Sequence, residues 1–382
     1  MKKRKLMMLL TGWLLILSLS LMGCGATQEK EKPVSAKKVL SMDEQVEDLV
    51  NSMSLTEKIG QMVMVGVHGT DVNEDSLYML HQFHFGGIVL FDRNMESKEQ
   101  VRQLTAHLQE QAGEKLPLFI SADEEGGLVV RMRNQLPELP SQQEIGATGD
   151  PEQARVWAET IAKQVKDMGL NSNFAPVADI GFERGRSYGT DADTVTAFLE
   201  KAAAGYEGEK LYYTLKHFPG IGRSSVNSHV EISDIDVSKE ELLETDLKPF
   251  RAIIEAHEPE RYFIMVSHIR YPQLDPQEGA SLSRPIMTGL LREQLGYRGL
   301  IITDDLAMGA VAKHNSFREL GVKAVQAGAD IALICHEYAN QQEVYLGILD
   351  AVKNGTISEE RINESVRRIV KTKLKYLGTV QK

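Results

Sequence analysis

Eight short runs rich in β-branched and other apolar residues leave this 382-residue chain few folds to adopt, because most are followed by a helix-length amphipathic stretch. The runs occupy residues 61–67, 87–91, 116–121, 173–180, 213–218, 262–269, 299–303 and 330–335, and helix-length stretches include 98–112, 151–168, 195–208, 239–256, 285–295 and 316–327. Strands that are apolar on both faces and joined by crossovers belong to a parallel sheet covered by helices. Eight is the number that closes such a sheet on itself, so the expected fold is α/β, a (β/α)8 TIM barrel forming a single domain over residues 41–382. No G-x-G-x-x-G follows a run, which speaks against an open nucleotide-binding sheet. One amphipathic helix is expected over 43–59. A terminal helix is expected over 358–376, with Ile362, Val366, Ile369, Val370 and Leu374 on one stripe.

The N-terminus is a different kind of sequence. Lys2, Lys3, Arg4 and Lys5 precede an apolar run over 6–22, the layout of an export signal covering residues 1–23. Leu21-Met22-Gly23-Cys24 resembles a bacterial lipoprotein processing box, which implies cleavage before Cys24, lipidation of Cys24 and anchoring on the outer face of a bacterial membrane. Residues 24–40 are then the lipidated cysteine and a polar tether containing Pro33. Without the four leader cations the chain carries 39 basic against 54 acidic residues, a net of −15. With that balance and no basic stripe, nucleic acid is not an expected partner. Once Cys24 is acylated only Cys335 remains, so no intrachain disulfide is expected, and no histidine or cysteine spacing suggests a metal.

In a barrel, polar residues at the C-terminal ends of the strands converge on one mouth. Here those ends carry Asp123-Glu124-Glu125-Gly126-Gly127, Asp179, Lys216-His217, His268, Asp304-Asp305 and Cys335-His336. After residues 213–218, Pro219, Gly220 and Gly222 turn the chain into a Ser/Asn-rich loop that reaches His229. Histidines and a lysine on such a loop suit proton transfer and the binding of an oxygen-rich ligand.

Several motifs in order resemble the family 3 glycoside hydrolases, and within them the single-domain β-N-acetylhexosaminidases. They are Ala122-Asp123-Glu124-Glu125-Gly126-Gly127 with Arg131, Phe174-Ala175-Pro176-Val177-Ala178-Asp179, Arg186-Ser187-Tyr188-Gly189, Lys216-His217-Phe218-Pro219-Gly220, Ser281-Leu282-Ser283, Ile302-Thr303-Asp304-Asp305-Leu306-Ala307-Met308 and Ala327-Gly328-Ala329-Asp330. The resemblance implies a retaining exo-enzyme that removes terminal β-linked N-acetylglucosamine from cell-wall-derived or related glycans. It places the nucleophile on Asp304 and the general acid/base on His229, with substrate binding by Asp123, Arg131, Arg186, Lys216 and His217. Asp305 and Asp179 are read as structural, and His268 and His336 as satisfied rim histidines. No cofactor is implied, and a monomer is expected.

The loop departs from the family's pattern at three places. Asn227 stands where an aspartate partners the acid/base histidine, Ile221 where a histidine is usual in the turn, and Arg223 where an aspartate is common. An aspartate would raise the imidazole pKa and fix its tautomer; asparagine accepts a hydrogen bond but contributes no charge. Glu231 or Asp234 is a possible substitute partner. Two further readings follow. One is a glycan-binding lipoprotein with weakened catalysis; the other is a phosphorylase variant in which Arg223 admits phosphate.

Overall fold

The computed structural model describes residues 40–112, 116–131, 133, 137–181, 185–224 and 233–378. Among these residues there are eight strands: β1 (Val63–Gly66), β2 (Gly87–Val89), β3 (Phe119–Ala122), β4 (Ser172–Asn173), β5 (Tyr213–Phe218), β6 (Tyr262–Val266), β7 (Leu300–Thr303) and β8 (Ala332–Ile334). Every pairing between them is parallel, in the orders β4-β3-β2-β1-β8 and β5-β6-β7. Isolated parallel bridges join the two groups, Ser172 to Tyr212 and Val177 to Lys216 on one side and Ile302 to Ile331 on the other. The ring is therefore closed, as the eight apolar runs require.

Each strand is buried along its whole length. Phe119 of β3 and Phe263 of β6 meet with ring centroids 5.0 Å apart, and Tyr212 packs 4.5 Å from Phe263. Strands β3 and β6 are not neighbours, so these rings fill the interior of the barrel. At the N-terminal end Lys373 is fully buried, its ammonium donating to Gln61 Oε1 at 2.7 Å and Gly86 O at 2.8 Å and lying 5.2 Å from the Phe119 ring centroid. Burial pushes its pKa down to about 7. Asp330, also fully buried, accepts from Ile301 N–H at 2.9 Å, Ser365 Oγ at 2.6 Å and Arg368 at 2.9 Å, and pairs with Arg292.

Some elements differ from the expectation. The stretch 43–59 is two helices, Met42–Ser52 and Leu55–Gln61, because Ser54 caps the second and completes a capping box with Glu57. The stretch 239–256 divides likewise, into Lys239–Glu244 and Lys248–Ala256, with Pro249 at the start of the second. Residues 285–295 form a π-helical turn run over Pro285–Gln294. The fourth strand, expected over 173–180, is only two residues long. Pro176 has no N–H to give to a ladder, and the chain rejoins β5 at the single bridge from Val177.

Candidate active site

The C-terminal ends of the strands open on a cavity of about 430 Å³. Its polar lining includes Asp123, Glu125, Arg131, Arg186, Lys216, His217, Asp304 and Asp305, and its rim includes Phe91, Leu128, Ile221, Met308 and His336. The site follows from the barrel's geometry. Residues 123, 217 and 304 fall at or just past the ends of β3, β5 and β7, where a parallel barrel points its loops at one axis. After β3 the chain must reverse at once, and Gly126 and Gly127 do so at φ 92° and 55°. A Cβ on Gly126 would lie 2.1 Å from Pro140 O, so the close approach and the positive φ both require glycine.

The polar groups are joined in a mesh of ion pairs. Lys216 Nζ donates to Asp123 Oδ1 at 2.8 Å and lies 2.7 Å from Glu125 Oε1; the lysine is 2% exposed. Arg131 donates to Asp123 Oδ2 at 2.9 Å, and Arg186 grips Glu125 with two parallel bonds of 2.8 Å. Burial alone would raise the Asp123 carboxyl, but the Lys216 and Arg131 cations outweigh it and hold the pKa well below the usual carboxylate range. Glu125 is likewise driven down against its burial by Lys216 and Arg186. The result is a set of fixed acceptors and donors around a cavity within the size range of small-molecule sites.

His217 is held by Asp179. Its Nδ1 lies 2.7 Å from Asp179 Oδ2, while Asp179 Oδ1 accepts from the backbone N–H groups of His217 at 3.1 Å and Ile221 at 2.9 Å. This contact leaves Nε2 facing the cavity, 3.4 Å from Arg186. Asp304 follows β7 directly, and its Oδ1 accepts from Asp305 N–H at 2.8 Å. Although burial raises its pKa, the His268 and His217 imidazoles, the Asp305 N–H and Lys216 together lower it below the ordinary value, so Asp304 is an anion at neutral pH. Asp305 is pushed the other way by burial, and its Oδ1 is spent on the N–H groups of Ala307 at 2.9 Å and Cys335 at 3.0 Å. The two adjacent aspartates thus differ: one presents its carboxylate to the cavity, the other ties β7 to β8.

Asp123, Arg131, Arg186, Lys216, His217 and Asp304 all line one cavity. Asp179 orients His217 from behind. His268 is satisfied, with Nδ1 2.6 Å from Ser281 Oγ and Nε2 donating to Asp305 O at 2.8 Å. His336 lies on the rim, about half exposed and 3.7 Å from Asp305. His229, Asn227, Glu231 and Cys24 lie outside the described residues. Ile221 supplies an apolar wall to the cavity. Arg223, read as a phosphate contact, does not line the cavity. It is clamped onto the following helices by Asp246 at 2.9 Å, Glu241 at 2.7 Å and Thr245 at 2.9 Å. Asp234 is likewise engaged, accepting two bonds from Arg270 at 2.7 and 2.8 Å. Glu125 was missing from the binding set read from the sequence. Its signal was a third consecutive carboxylate, two residues beyond Asp123, on a run with more acids than one sugar contact needs. Among the described residues no group of three or more His, Cys, Asp or Glu is placed to hold a metal ion.

Residues 54–372 match the Glycosyl hydrolase family 3 N terminal domain. The chain is 36% identical over 287 residues to a "Beta-hexosaminidase" of Stenotrophomonas maltophilia, covering 72% of this chain and 83% of the relative. It is 33% identical over 328 residues to "Beta-hexosaminidase A" of Pseudoalteromonas piscicida, covering 78% of this chain; the chain spans about half, 54%, of that longer protein. A solved glycoside hydrolase family 3 β-N-acetylglucosaminidase from Paenibacillus sp. superposes with a TM-score of 0.82 at 36% identity, covering 86% of this chain and 63% of that one.

Proposed function

Because the chain belongs to the family 3 glycoside hydrolases, we propose that it is a retaining exo-β-N-acetylhexosaminidase acting on terminal N-acetylglucosamine in cell-wall-derived or related glycans. The observation that carries this reading is the anionic Asp304 carboxylate, lining the same cavity as the Asp123, Arg131, Arg186, Lys216 and His217 mesh. The mesh suits a sugar: carboxylates accept from vicinal hydroxyls, and the cations that fix them donate to others.

In this reading an Asp304 oxygen attacks the anomeric carbon as its bond to the leaving oxygen breaks, and His229 gives that oxygen its proton. A glycosyl ester on Asp304 results. Water then attacks the same carbon, His229 takes its proton, and the sugar leaves with its original β configuration while the carboxylate is restored. The low pKa of Asp304 keeps the nucleophile ionised over the range in which an imidazole is still protonated.

The test is release of a chromogenic aglycone from a β-N-acetylglucosaminide. Asp304→Asn is expected to abolish it, and the first sugar released by the wild type is expected to be the β anomer. Well-folded protein without turnover between pH 4 and 8 would remove the reading. The second reading, a glycan binder with weakened catalysis, is favoured by Asn227 in place of an aspartate and by Ile221 on the cavity wall. It predicts calorimetric binding of N-acetylglucosamine without turnover. The phosphorylase variant loses its motivation, because Arg223 is neutralised by Asp246 and Glu241 away from the cavity. We also propose that the mature protein begins at Cys24 as an exported lipoprotein. Fatty-acid label incorporated by the wild type and lost in Cys24→Ala supports this, and label retained in that variant overturns it.

A further inference from the structure

Glu124 sits between the two carboxylates that hold the site's cations, yet it forms no ion pair with a described residue. It is 1% exposed. Oε1 accepts from the backbone N–H of Arg131 at 2.7 Å, which closes the turn that runs from Asp123 to Arg131. Oε2 is buried and has no hydrogen-bond partner among the described residues. The backbone is pinned from the other side, where Glu124 N–H donates to Asn173 Oδ1 at 3.0 Å and Asn173 Nδ2 donates to Glu124 O at 2.9 Å. The acid does not line the cavity, so it touches the ligand only through its neighbours.

The charged and titratable groups around it are Asp123, Glu125 and Arg131 of its own turn, Asp92 beyond β2, and the Tyr206 phenol from the helix Ala192–Gly208. Arg131 is the only cation among them, and its guanidinium is committed to Asp123 at 2.9 Å and faces Asp92 at 3.5 Å. A carboxylate at this position would hold one oxygen without a donor among the described residues, buried beside a second anion. Burial of an unpaired charge is costly, whereas a neutral acid still accepts from Arg131 N–H through its carbonyl oxygen.

We propose that Glu124 is a positioning residue that works as a neutral carboxylic acid, fastening the turn that carries Asp123, Glu125 and Arg131, and that the sugar site loosens when this acid loses its proton. The inference rests on the hexosaminidase reading of the cavity. Burial pushes the Glu124 pKa up to about 8, against the pull of Arg131, which agrees with the geometry. The Arg131 guanidinium is already shared between Asp123 and Asp92. Ionisation adds an uncompensated charge next to Asp123 and competes with it for Arg131.

The experiment measures N-acetylglucosamine affinity by calorimetry from pH 6 to 9.5 in wild type, Glu124→Gln and Glu124→Leu, with thermal unfolding of the first two at pH 5 and pH 8. Wild-type affinity is expected to be steady below pH 7.5 and to fall about tenfold per pH unit above 8. Glutamine keeps the acceptor for Arg131 N–H and cannot ionise, so it should rescue binding across the whole range. Leucine removes the acceptor and should bind more weakly at every pH. The folded acid titrates near 8 and the unfolded one near 4.5, so the native state holds the extra proton between those values and the contribution of this group to wild-type stability falls as pH rises through them. Glu124→Gln should therefore gain melting temperature relative to wild type between pH 5 and 8. Parallel pH dependences of affinity in wild type and Glu124→Gln, or a melting difference independent of pH, would overturn the proposal. If wild type binds no sugar at pH 6, the hexosaminidase reading fails instead, and the melting difference alone decides whether Glu124 carries a proton.

Discussion

Lys216 holds two carboxylates at once, Asp123 at 2.8 Å and Glu125 at 2.7 Å, with almost no solvent to share the charge. Removing one member of a buried network leaves the others uncompensated, at a cost of about 3–5 kcal/mol. Lys216→Met is thus expected to lose stability of that order in urea denaturation and to raise KM for a chromogenic N-acetylglucosaminide, while Arg223→Ala, whose side chain is clamped to Asp246 and Glu241 away from the cavity, should leave KM unchanged. Asn227→Asp is expected to raise kcat and move the alkaline limb of its pH profile upward, because an added carboxylate stabilises the protonated imidazole of His229; a profile coincident with wild type would show that another group partners this histidine. Asp123, Lys216 and Asp304 were legible in the sequence because each stands in a recognisable motif at a strand end. The pairing of Glu125 with Arg186 was not, since the partners are 61 residues apart and only the closed ring makes them neighbours. Asp179 could be read as a strand-end carboxylate, but its grip on His217 depends on β4 lying beside β5.

At the level of elements, continuous apolar runs located the eight strands and amphipathic spacing most helices, while local chemistry decided where they stop. Ser54 splits one apolar stripe into two helices because its hydroxyl accepts from Glu57 N–H and the Glu57 carboxylate returns to Ser54 N–H. Ser54→Ala is expected to cost about 1 kcal/mol, measurable as a lower urea midpoint with an unchanged slope. Pro176 truncates β4, a signal present in the sequence but outweighed there by the surrounding apolar run. The turn after β5 is pressed against the turn after β4. A Cβ on Gly222 would lie 1.7 Å from Ile180 O, and Tyr271 OH donates to Gly220 O. Gly222→Ala is accordingly expected to displace the start of this turn, lowering both melting temperature and kcat/KM; retention of both would mean that the turn can yield without disturbing Asp179 or His217.

For the molecule as a whole, stability should depend on pH through the plug at the N-terminal end of the barrel. The folded-state pKa of Lys373 is about 7, whereas an unfolded lysine titrates near 10.4. Between those values the unfolded chain binds the extra proton, so this group destabilises the fold below pH 7 and its cost diminishes as pH rises toward 10. Lys373→Met should remove that slope, seen as a smaller change in urea midpoint between pH 7 and 9.5 than in wild type. Equal changes would mean that the ammonium is solvated as it is in the unfolded chain.

Closure of the ring has one more outcome. The five-strand group contributes Asp123, Glu125 and Asp179, the three-strand group contributes Lys216, His217 and Asp304, and among the described residues the ladder thins to isolated bridges at the two borders. The bonds from Lys216 to Asp123 and Glu125, and from His217 to Asp179, consequently act as stitches across the β4–β5 border. A sugar seated on both sides would tighten the same join, so occupancy of the pocket should slow amide exchange in β4 and β5 before it affects β1 and β2.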